Sequence, residues 1–235
     1  KFHAPLIKGR LIKRYKRFMA DVTIEGGTVV TAHCANSGSM LSVNEPGSEV
    51  WLSPATNPDR KLKYTWEIIR VKRTLVGVNT QHPNTLVAEA IATGKVPSLS
   101  IFQNLRREVK YGENSRIDVL LEMMNGRNCY VEVKNVTMRR DLSKGAPAEF
   151  PDGVTARGTK HLKELSDMVK EGHRAVMFYL VQRGDADSIK IARDIDPTYG
   201  EALDKALLAG VEVAAFNCKL TSKGINVATP VEFCG

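Results

Sequence analysis

The sequence lacks the features by which secreted, zinc-binding and membrane proteins are recognised. Its 235 residues include only four cysteines, which lie far apart at positions 34, 129, 218 and 234 and form no CxxC pair or Cys/His cluster with zinc spacing. We therefore expect reduced thiols and no structural zinc. The longest apolar run, AVMFYLV at 175–181, is far too short to span a bilayer. Because low-complexity tracts and repeats are also absent, the sequence predicts a folded, soluble, cytoplasmic protein that does not enter a membrane.

Positive charge is unevenly distributed along the chain. The formal net charge is +8; residues 1–80 carry 13 Lys and Arg against 6 Asp and Glu, whereas residues 81–235 carry 21 against 20. This asymmetry favours a polyanion-binding domain at residues 1–80 joined to a nearly neutral domain at residues 81–235. A solvated basic surface explains the charge equally well.

The first 80 residues contain short β-type segments separated by turn residues such as Gly26-Gly27 and Pro46-Gly47. The five segments are 17–25, 28–34, 48–53, 63–72 and 74–80. Five short strands in this length predict a small OB-like β-barrel, a fold that often binds nucleic acid. Trp51 and Trp66 lie among apolar strand residues, so we expect them in the barrel core.

Two groups of basic residues are candidate DNA contacts. The first surrounds Tyr15 and Phe18 and consists of Lys8, Arg10, Lys13, Arg14, Lys16 and Arg17. Interleaved cations and aromatic rings suit phosphates and stacked bases, although basic strands also protect sheet edges from aggregation. The second group, Arg157, Lys160 and His161, lies at the start of a predicted helix over 159–172, where helix amide groups also favour anions. A simple charged surface is the alternative there.

Residues 81–235 alternate helical and β-type patterns. The predicted helices are 84–94, capped by Asn84 and ended by Gly94, 159–172, capped by Thr159, and 199–210. The predicted strands are 107–112, a hairpin within 115–137, 173–183 and 211–220. Because the last two strands flank a helix, we expect them to be parallel. The order predicts an α/β domain with a mixed sheet flanked by helices.

Three charged residues interrupt the apolar hairpin at 115–137, namely Asp118, Glu132 and Lys134. Glu132 and Lys134 are two positions apart on one strand and therefore share a face. A strict two-residue turn at Asn125-Gly126 would pair Val119 with Glu132 and place Asp118 on the opposite face. We therefore predict an odd loop length or a bulge, which returns Asp118 to the face of Glu132 and Lys134.

This constellation suits phosphodiester hydrolysis. Two neighbouring carboxylates, Asp118 and Glu132, repel each other, and Mg²⁺ or Mn²⁺ relieves that repulsion. Lys134 beside the ion can assist an attacking water or neutralise charge that develops on a phosphate. Glu108, in the strand before the hairpin, is a candidate third acid, with a solvated glutamate as the alternative. A cross-strand ion pair without catalysis is the alternative for the same residues.

Seven sequence blocks carry a resemblance that covers essentially the whole chain. They are CANSGSM (34–40), NPDRKLKYTWE (57–67), GVNTQHPN (77–84), REVKYGENSRIDVLLE (107–122), CYVEVKNVT (129–137), FPDGVTARGTKHLKEL (150–165) and DIDPTYG (194–200). Together they are similar to the sugar fermentation stimulation protein A family. The resemblance implies DNA binding through phosphates without strong sequence preference, an N-terminal OB-like domain, and a C-terminal domain similar to PD-(D/E)xK nucleases. Asp118, Glu132 and Lys134 match the nuclease motif, with Ile117 in place of its proline. The resemblance also makes Glu89, on the first predicted helix, a candidate third acid, with a solvated helix glutamate as the alternative.

Three functions are consistent with these observations. The first is a DNA-binding, metal-dependent nuclease. The second is a DNA-binding or regulatory protein linked to sugar metabolism, in which the nuclease-like fold is silent. The third is a small-molecule hydrolase that uses the same carboxylates and has little affinity for DNA.

Overall fold

The computed structural model describes residues 1–112 and 114–235, and its N-terminal part is a closed barrel. Its strands are β1 (Ile7–Tyr15), β2 (Met19–Ile24), β3 (Val29–His33), β4 (Glu49–Pro54), β5 (Tyr64–Val71) and β6 (Thr74–Gly77). They follow the order β3-β2-β1-β4-β5-β6, and β3 pairs back to β5. This pairing closes a barrel of five strands, β1 to β5, and β6 pairs with β5 beside it. The OB-like prediction is confirmed. The basic segment, which the sequence did not mark as one of the five strands, forms β1.

Tryptophan and aliphatic side chains fill the barrel. Trp66 is fully buried beside Leu11, Val22 and Val50, and its indole Nε1 donates to the carbonyl of Ile68 at 3.0 Å. That bond satisfies the one polar atom of the ring, so its apolar area stabilises the barrel without a desolvation penalty. Trp51 is also buried, but it lies outside this core, against the prediction. Lys8 Nζ is 5.8 Å and the Arg70 guanidinium carbon 5.2 Å from its ring centre.

The C-terminal part is a six-stranded mixed sheet flanked by helices. Its elements are α1 (Pro83–Ala92), β7 (Asn104–Tyr111), β8 (Ser115–Glu122), β9 (Cys129–Val136), β10 (Ala148–Phe150), α2 (Ala156–Lys170), β11 (Arg174–Val181), β12 (Ser188–Ile191), α3 (Pro197–Leu208), β13 (Glu212–Thr221), β14 (Gly224–Pro230) and β15 (Glu232–Cys234). The main sheet has the order β14-β13-β11-β9-β8-β7. Strand β11 is parallel to β9 and β13, which confirms the predicted parallel pair.

Three strands form a second, small sheet that the sequence did not indicate. Strands β10, β12 and β15 pair in parallel. Each has only three or four residues, so none is long enough to show an alternating pattern. Strand β14, at the edge of the main sheet, was also missed.

Apolar side chains pack on both faces of the main sheet. Under α2 and α3 the core includes Leu162, Tyr179 and Leu203, whereas under α1 it includes Ile91 and Phe178. Packing on both faces restrains the central strands β8, β9 and β11, which are mostly buried. The charged residues on β8 and β9 are therefore fixed by this packing.

Two helix starts differ from the sequence-based expectation. Helix α1 begins at Pro83, one residue before the predicted cap Asn84. Proline suits the first helical position because no intrahelical partner exists there for a backbone N–H. Helix α2 is capped by Thr155, whose hydroxyl accepts from the Gly158 amide at 3.1 Å, and not by Thr159. No helix in the described ranges is long and apolar enough to cross a bilayer.

Candidate active site

The register of the β8–β9 hairpin decides which face carries Asp118. Val119 lies opposite Val131, and Leu121 lies opposite Cys129. Residues 122–128 therefore connect the two paired positions, an odd number, as predicted. Asp118 thus lies across from Glu132 and on the same face, one residue beyond the last backbone pair, and Lys134 follows on that face.

Asp118 is held by two hydrogen bonds. Its Oδ2 accepts from the backbone amide of Val133 at 2.7 Å, and its Oδ1 accepts from Asn84 Nδ2 at 2.6 Å. Because the Val133 amide is bound by a side chain, it does not continue the ladder between β8 and β9. The backbone pairing of the two strands ends at Val119 and Val131, and beyond it the Asp118 carboxylate bonds the β9 backbone.

Glu132 is almost completely buried, with 2% of its surface exposed. Its Oε1 accepts from Lys134 Nζ at 2.6 Å and from His161 Nδ1 of helix α2. Its Oε2 is buried and has no hydrogen-bond partner among the described residues. An unpartnered buried carboxylate oxygen is costly, so a ligand is expected to complete it.

The two carboxylates raise the energy of each other's charged form. Burial, and then the negative charge of Glu132, raise the pKa of Asp118 from 3.8 to about 6. Burial also raises the pKa of Glu132, but the His161 hydrogen bond and the Lys134 charge outweigh it, so the net pKa is below its ordinary value. At neutral pH both groups are therefore charged, and the ammonium of Lys134 lies beside them and bonds Glu132.

A divalent cation fits this arrangement. The unpartnered Glu132 Oε2 and the remaining lone pairs of Asp118 are oxygen donors of the kind that Mg²⁺ and Mn²⁺ prefer, and Mg²⁺ often takes only one or two carboxylates and keeps several waters. Within the described ranges no group of three or more His, Cys, Asp or Glu side chains is arranged to hold a metal. The donors present therefore suit an ion that retains much of its water.

The carboxylates line a cavity of about 510 Å³ between the two domains. Residues 36–39 of the barrel form one wall, and residues 149–155 form another. Asp152 joins these walls, because its backbone oxygen accepts from Ser39 Oγ at 2.5 Å and its Oδ2 accepts from the Met40 amide at 2.9 Å. The Gly38 amide donates to Asn36 Oδ1 at 2.9 Å. The Met40 amide is thus used in a contact between the two walls, and the Gly38 amide in a bond within its own loop.

The two candidate third acids differ in position. Glu108 lies on β7, and Asn84 Nδ2 donates to its Oε1 at 3.2 Å as well as to Asp118. Glu108 also has a left-handed backbone, with φ of 54°. Both glutamates are exposed and neither lines the cavity, but among the described residues Glu108 shares the Asn84 donor with Asp118. The structure therefore brings Glu108, and not Glu89, beside Asp118.

Arg14 and His161 do not occupy the exposed positions predicted for DNA contacts. The Arg14 guanidinium donates to the carbonyls of Arg17, Asn36, Gly38 and Ser39, so it holds the turn that lines the cleft. His161 is 4% exposed and binds Glu132. The prediction of surface phosphate contacts is corrected for both, because their donors are used inside the protein.

The remaining basic residues lie at the surface, several with internal partners. Lys8 pairs with Glu49, and Arg10 Nη1 donates to the Gly47 carbonyl at 3.0 Å. The weaker pairs are Lys13 with Asp21 at 3.9 Å and Lys160 with Glu164 at 3.5 Å. Lys16, Arg17 and Arg157 are exposed.

The sequence did not indicate the roles of Asn84 and Asp152. Asn84 matches a helix-cap pattern, and Asp152 lies in a long loop, so neither has a local signal for a contact made across the fold. His161 does have a local sequence signal, because it lies on its helix near Leu162, Leu165 and Met168, all of which are buried. A histidine within an apolar stripe indicates a buried polar partner.

Comparisons with known proteins agree with this architecture. The family model described as the SfsA N-terminal OB domain matches residues 12–78, and the one described as the sugar fermentation stimulation protein RE domain matches residues 81–224. The homologue from Rhodospirillum rubrum is 59% identical over 226 residues, covering 93% of this chain and 92% of the relative. The homologue from Paramagnetospirillum magneticum is 57% identical over 231 residues, covering 98% and 96%.

A solved structure has the same overall fold. SfsA from Pyrococcus furiosus, determined in complex with Ca²⁺, superposes with a TM-score of 0.87 at 26% identity and covers 98% of this chain and 96% of its own. The similarity extends over both domains in sequence and in structure. The chain belongs to the sugar fermentation stimulation protein (SfsA) family.

Proposed function

We propose that this protein binds DNA through its phosphates and hydrolyses phosphodiester bonds with the help of Mg²⁺ or Mn²⁺. The observation that carries the proposal is the buried pair of Asp118 and Glu132. One oxygen of Glu132 has no partner among the described residues, and the pKa of Asp118 is raised by burial and then by the charge of Glu132. Buried carboxylates with a purely structural role are expected to have a hydrogen-bond partner for each oxygen atom. Glu132 instead has one buried oxygen without a partner among the described residues, and the residue lines the cavity.

Each of the three charged residues has a distinct task in the proposed reaction. Asp118 and Glu132 would hold the cation, which supplies a polarised water and neutralises charge on the phosphate when it is bound. Lys134 lies 2.6 Å from Glu132 and presents its ammonium at the same cavity. From there it would orient the attacking water or bind a phosphate oxygen whose charge increases in the transition state.

The chemistry of the donors supports a divalent cation of the oxygen-preferring type. Both candidate ligands are carboxylates, and no thiolate lies among the described residues that line the cavity. The P. furiosus relative was determined in complex with Ca²⁺. Ca²⁺ takes oxygen ligands as Mg²⁺ does, so it is expected to bind at the same carboxylates.

DNA contact is assigned to exposed cations on both domains. Lys13, Lys16 and Arg17 lie at the end of β1 and the turn after it, while Arg157 and Lys160 lie on the first turns of α2. Arg157 also lines the cavity. Because these groups would contact phosphates, binding is expected to weaken steeply as salt rises and to show little sequence preference.

A cleavage assay tests the proposal. Single-stranded, duplex and nicked DNA would be incubated with Mg²⁺, Mn²⁺ or Ca²⁺, using the wild type, Asp118→Ala and Lys134→Ala. Glu122→Gln is the matched control, because Glu122 is an acid on the same strand that pairs with Arg106 away from the cavity. Cleavage by the wild type and the control alone supports hydrolysis.

The second candidate is a DNA-binding protein without catalysis. It is favoured by the absence of a third acidic ligand at the pair within the described residues and by Ile117 at the position of the motif proline. In that case Mn²⁺ leaves every DNA form intact, and the salt-dependent binding persists in Asp118→Ala.

A further inference from the structure

We propose that His161, oriented by Arg157, is a positioning residue that binds Oε1 of Glu132 and thereby leaves only Oε2 for the cation. This inference rests on the proposed metal site and adds a component that the D…ExK pattern does not contain. It assigns His161 to the inside of the site, in place of a contact to DNA. It also assigns Arg157 a task besides phosphate contact.

The hydrogen bonds around His161 fix which ring nitrogen carries the proton. Arg157 Nε donates to His161 Nε2 at 3.3 Å, and a guanidinium has no acceptor. Nε2 must therefore be unprotonated, so the neutral ring carries its proton on Nδ1. Nδ1 contacts Glu132 Oε1, and the histidine is consequently the donor in that contact.

Lys134 approaches the same oxygen from the other side. Its Nζ lies 2.6 Å from Glu132 Oε1 and 3.3 Å from His161 Nδ1. Because both nitrogens carry protons, they do not bond each other and instead share Oε1 as their acceptor. Two donors at Oε1 orient the carboxylate, so Oε2, which has no partner in the described part of the chain, is the oxygen left to take an ion.

The start of helix α2 is packed so that this orientation persists. Arg157 and His161 are one helical turn apart, at the spacing at which side chains meet. Between them, a Cβ on Gly158 would lie 2.9 Å from the Thr155 side chain and 3.0 Å from a ring carbon of Tyr199. The helix therefore approaches α3 closely, and its first turn has little room to shift. Outer partners that orient a ligand typically change metal affinity about 10- to 100-fold when removed.

Two substitutions test whether the hydrogen-bond donor to Glu132 must lie at the position of His161 Nδ1. Both replace the ring with a side-chain amide, but at different distances from the backbone. In His161→Asn the side-chain amide can take the place of Nδ1–H, whereas in His161→Gln the longer side chain carries the amide toward the place of Nε2. Mn²⁺ binding would be measured by titration calorimetry on the full chain without DNA. Lys163→Ala, an exposed position on the same helix, is the control.

The expected result is a loss of Mn²⁺ affinity of about 10- to 100-fold in His161→Gln, with His161→Asn and Lys163→Ala close to the wild type. Equal affinity in His161→Gln and the wild type would overturn the inference. Failure of the wild type to bind Mn²⁺ at all, with Asp118→Ala indistinguishable from it, would instead refute the proposed metal site.

The position of the ring proton can also be measured in the wild type, where no substitution affects folding. In the metal-free wild type, ¹⁵N NMR of labelled histidine should show a protonated Nδ1 and an unprotonated Nε2 for His161, assigned by its absence in His161→Asn. Arg157→Gln, a surface change, should reduce this preference and weaken Mn²⁺ binding. Protonation at Nε2 in the wild type would refute the proposed arrangement.

Discussion

Replacement of Asp118 by Asn should stabilise the metal-free protein, and the gain should depend on pH in a defined direction. Asp118 is buried beside Glu132, and its pKa is about 6 instead of 3.8. At about 1.4 kcal/mol per pKa unit, this difference corresponds to roughly 3 kcal/mol that the charged aspartate costs the folded state. Asparagine keeps an oxygen for the Val133 amide and carries no charge, so it avoids this cost.

The direction of the pH dependence follows from how many protons the folded and unfolded states bind. Between pH 3.8 and about 6 the folded wild type binds the Asp118 proton more tightly than the unfolded chain does. The free energy of unfolding contributed by this group therefore falls as pH rises through that interval, and the cost is complete at higher pH. The substituted asparagine does not titrate, so the stability of Asp118→Asn relative to the wild type should rise by about 2 kcal/mol between about pH 4.5 and pH 8.

Urea unfolding in EDTA at several pH values measures this difference. Glu122→Gln is the control, because hydrogen bonds from Arg106 and Asn104 lower the pKa of Glu122 below its ordinary value of 4.5. The contribution of Glu122 is lost mainly as pH falls below that value, so its substitution should leave an almost constant difference over most of this range. A constant difference for Asp118→Asn as well would refute the picture of a buried, repelled carboxylate. In a Glu132→Gln background the pH dependence should shrink, because one of its two main causes is gone.

Four further outcomes are expected from other parts of the structure. Gly38→Ala should lower the free energy of unfolding by about 1–3 kcal/mol in urea titrations, because its Cβ would lie 2.7 Å from Asp152 Oδ2. Arg17→Ala should reduce the slope of log affinity for duplex DNA against log salt by about one, with unchanged thermal unfolding; an unchanged slope would remove it from the DNA surface. Arg14→Ala should instead lower the unfolding temperature, because four carbonyls lose its guanidinium. Glu108→Ala should weaken Mn²⁺ binding in calorimetry if the residue is the third acid, and an affinity equal to the wild type would exclude it.

Which charged side chains share a face of the central strands could be predicted from sequence, because it depends only on the number of residues between them. Side chains alternate along a strand, so Glu132 and Lys134 had to share a face, and only an odd connection could bring Asp118 to it. Residues 122–128 provide that connection. The barrel followed similarly from alternating strands and glycine turns. These inferences use only local periodicity, which the tertiary structure does not alter.

The partners of the carboxylates could not be predicted, because they come from other elements. Asn84 reaches Asp118 from α1 at 2.6 Å, and His161 reaches Glu132 from α2. The sequence pattern explains Asn84 as a helix cap. For His161, the apolar neighbours on its helix indicate burial but do not identify the partner. Only the packing of both helices against the sheet determines which atoms meet. The same reasoning applies to Asp152, whose contact with residues 39 and 40 joins two domains.

The distribution of charge suggests why the proposed cation and the basic surface depend on each other. Residues 1–80 carry a net charge of +7, whereas Asp118, Glu132 and Lys134 together carry −1 when both carboxylates are ionised. Without a cation, the walls of the cleft would repel a phosphodiester that the surrounding lysines and arginines attract. A bound divalent ion would change this local net charge from −1 to +1, so that the site would attract a phosphodiester as the basic surface does. Affinity for DNA can then arise from the surface cations alone, while alignment of one phosphodiester at Lys134 requires the ion.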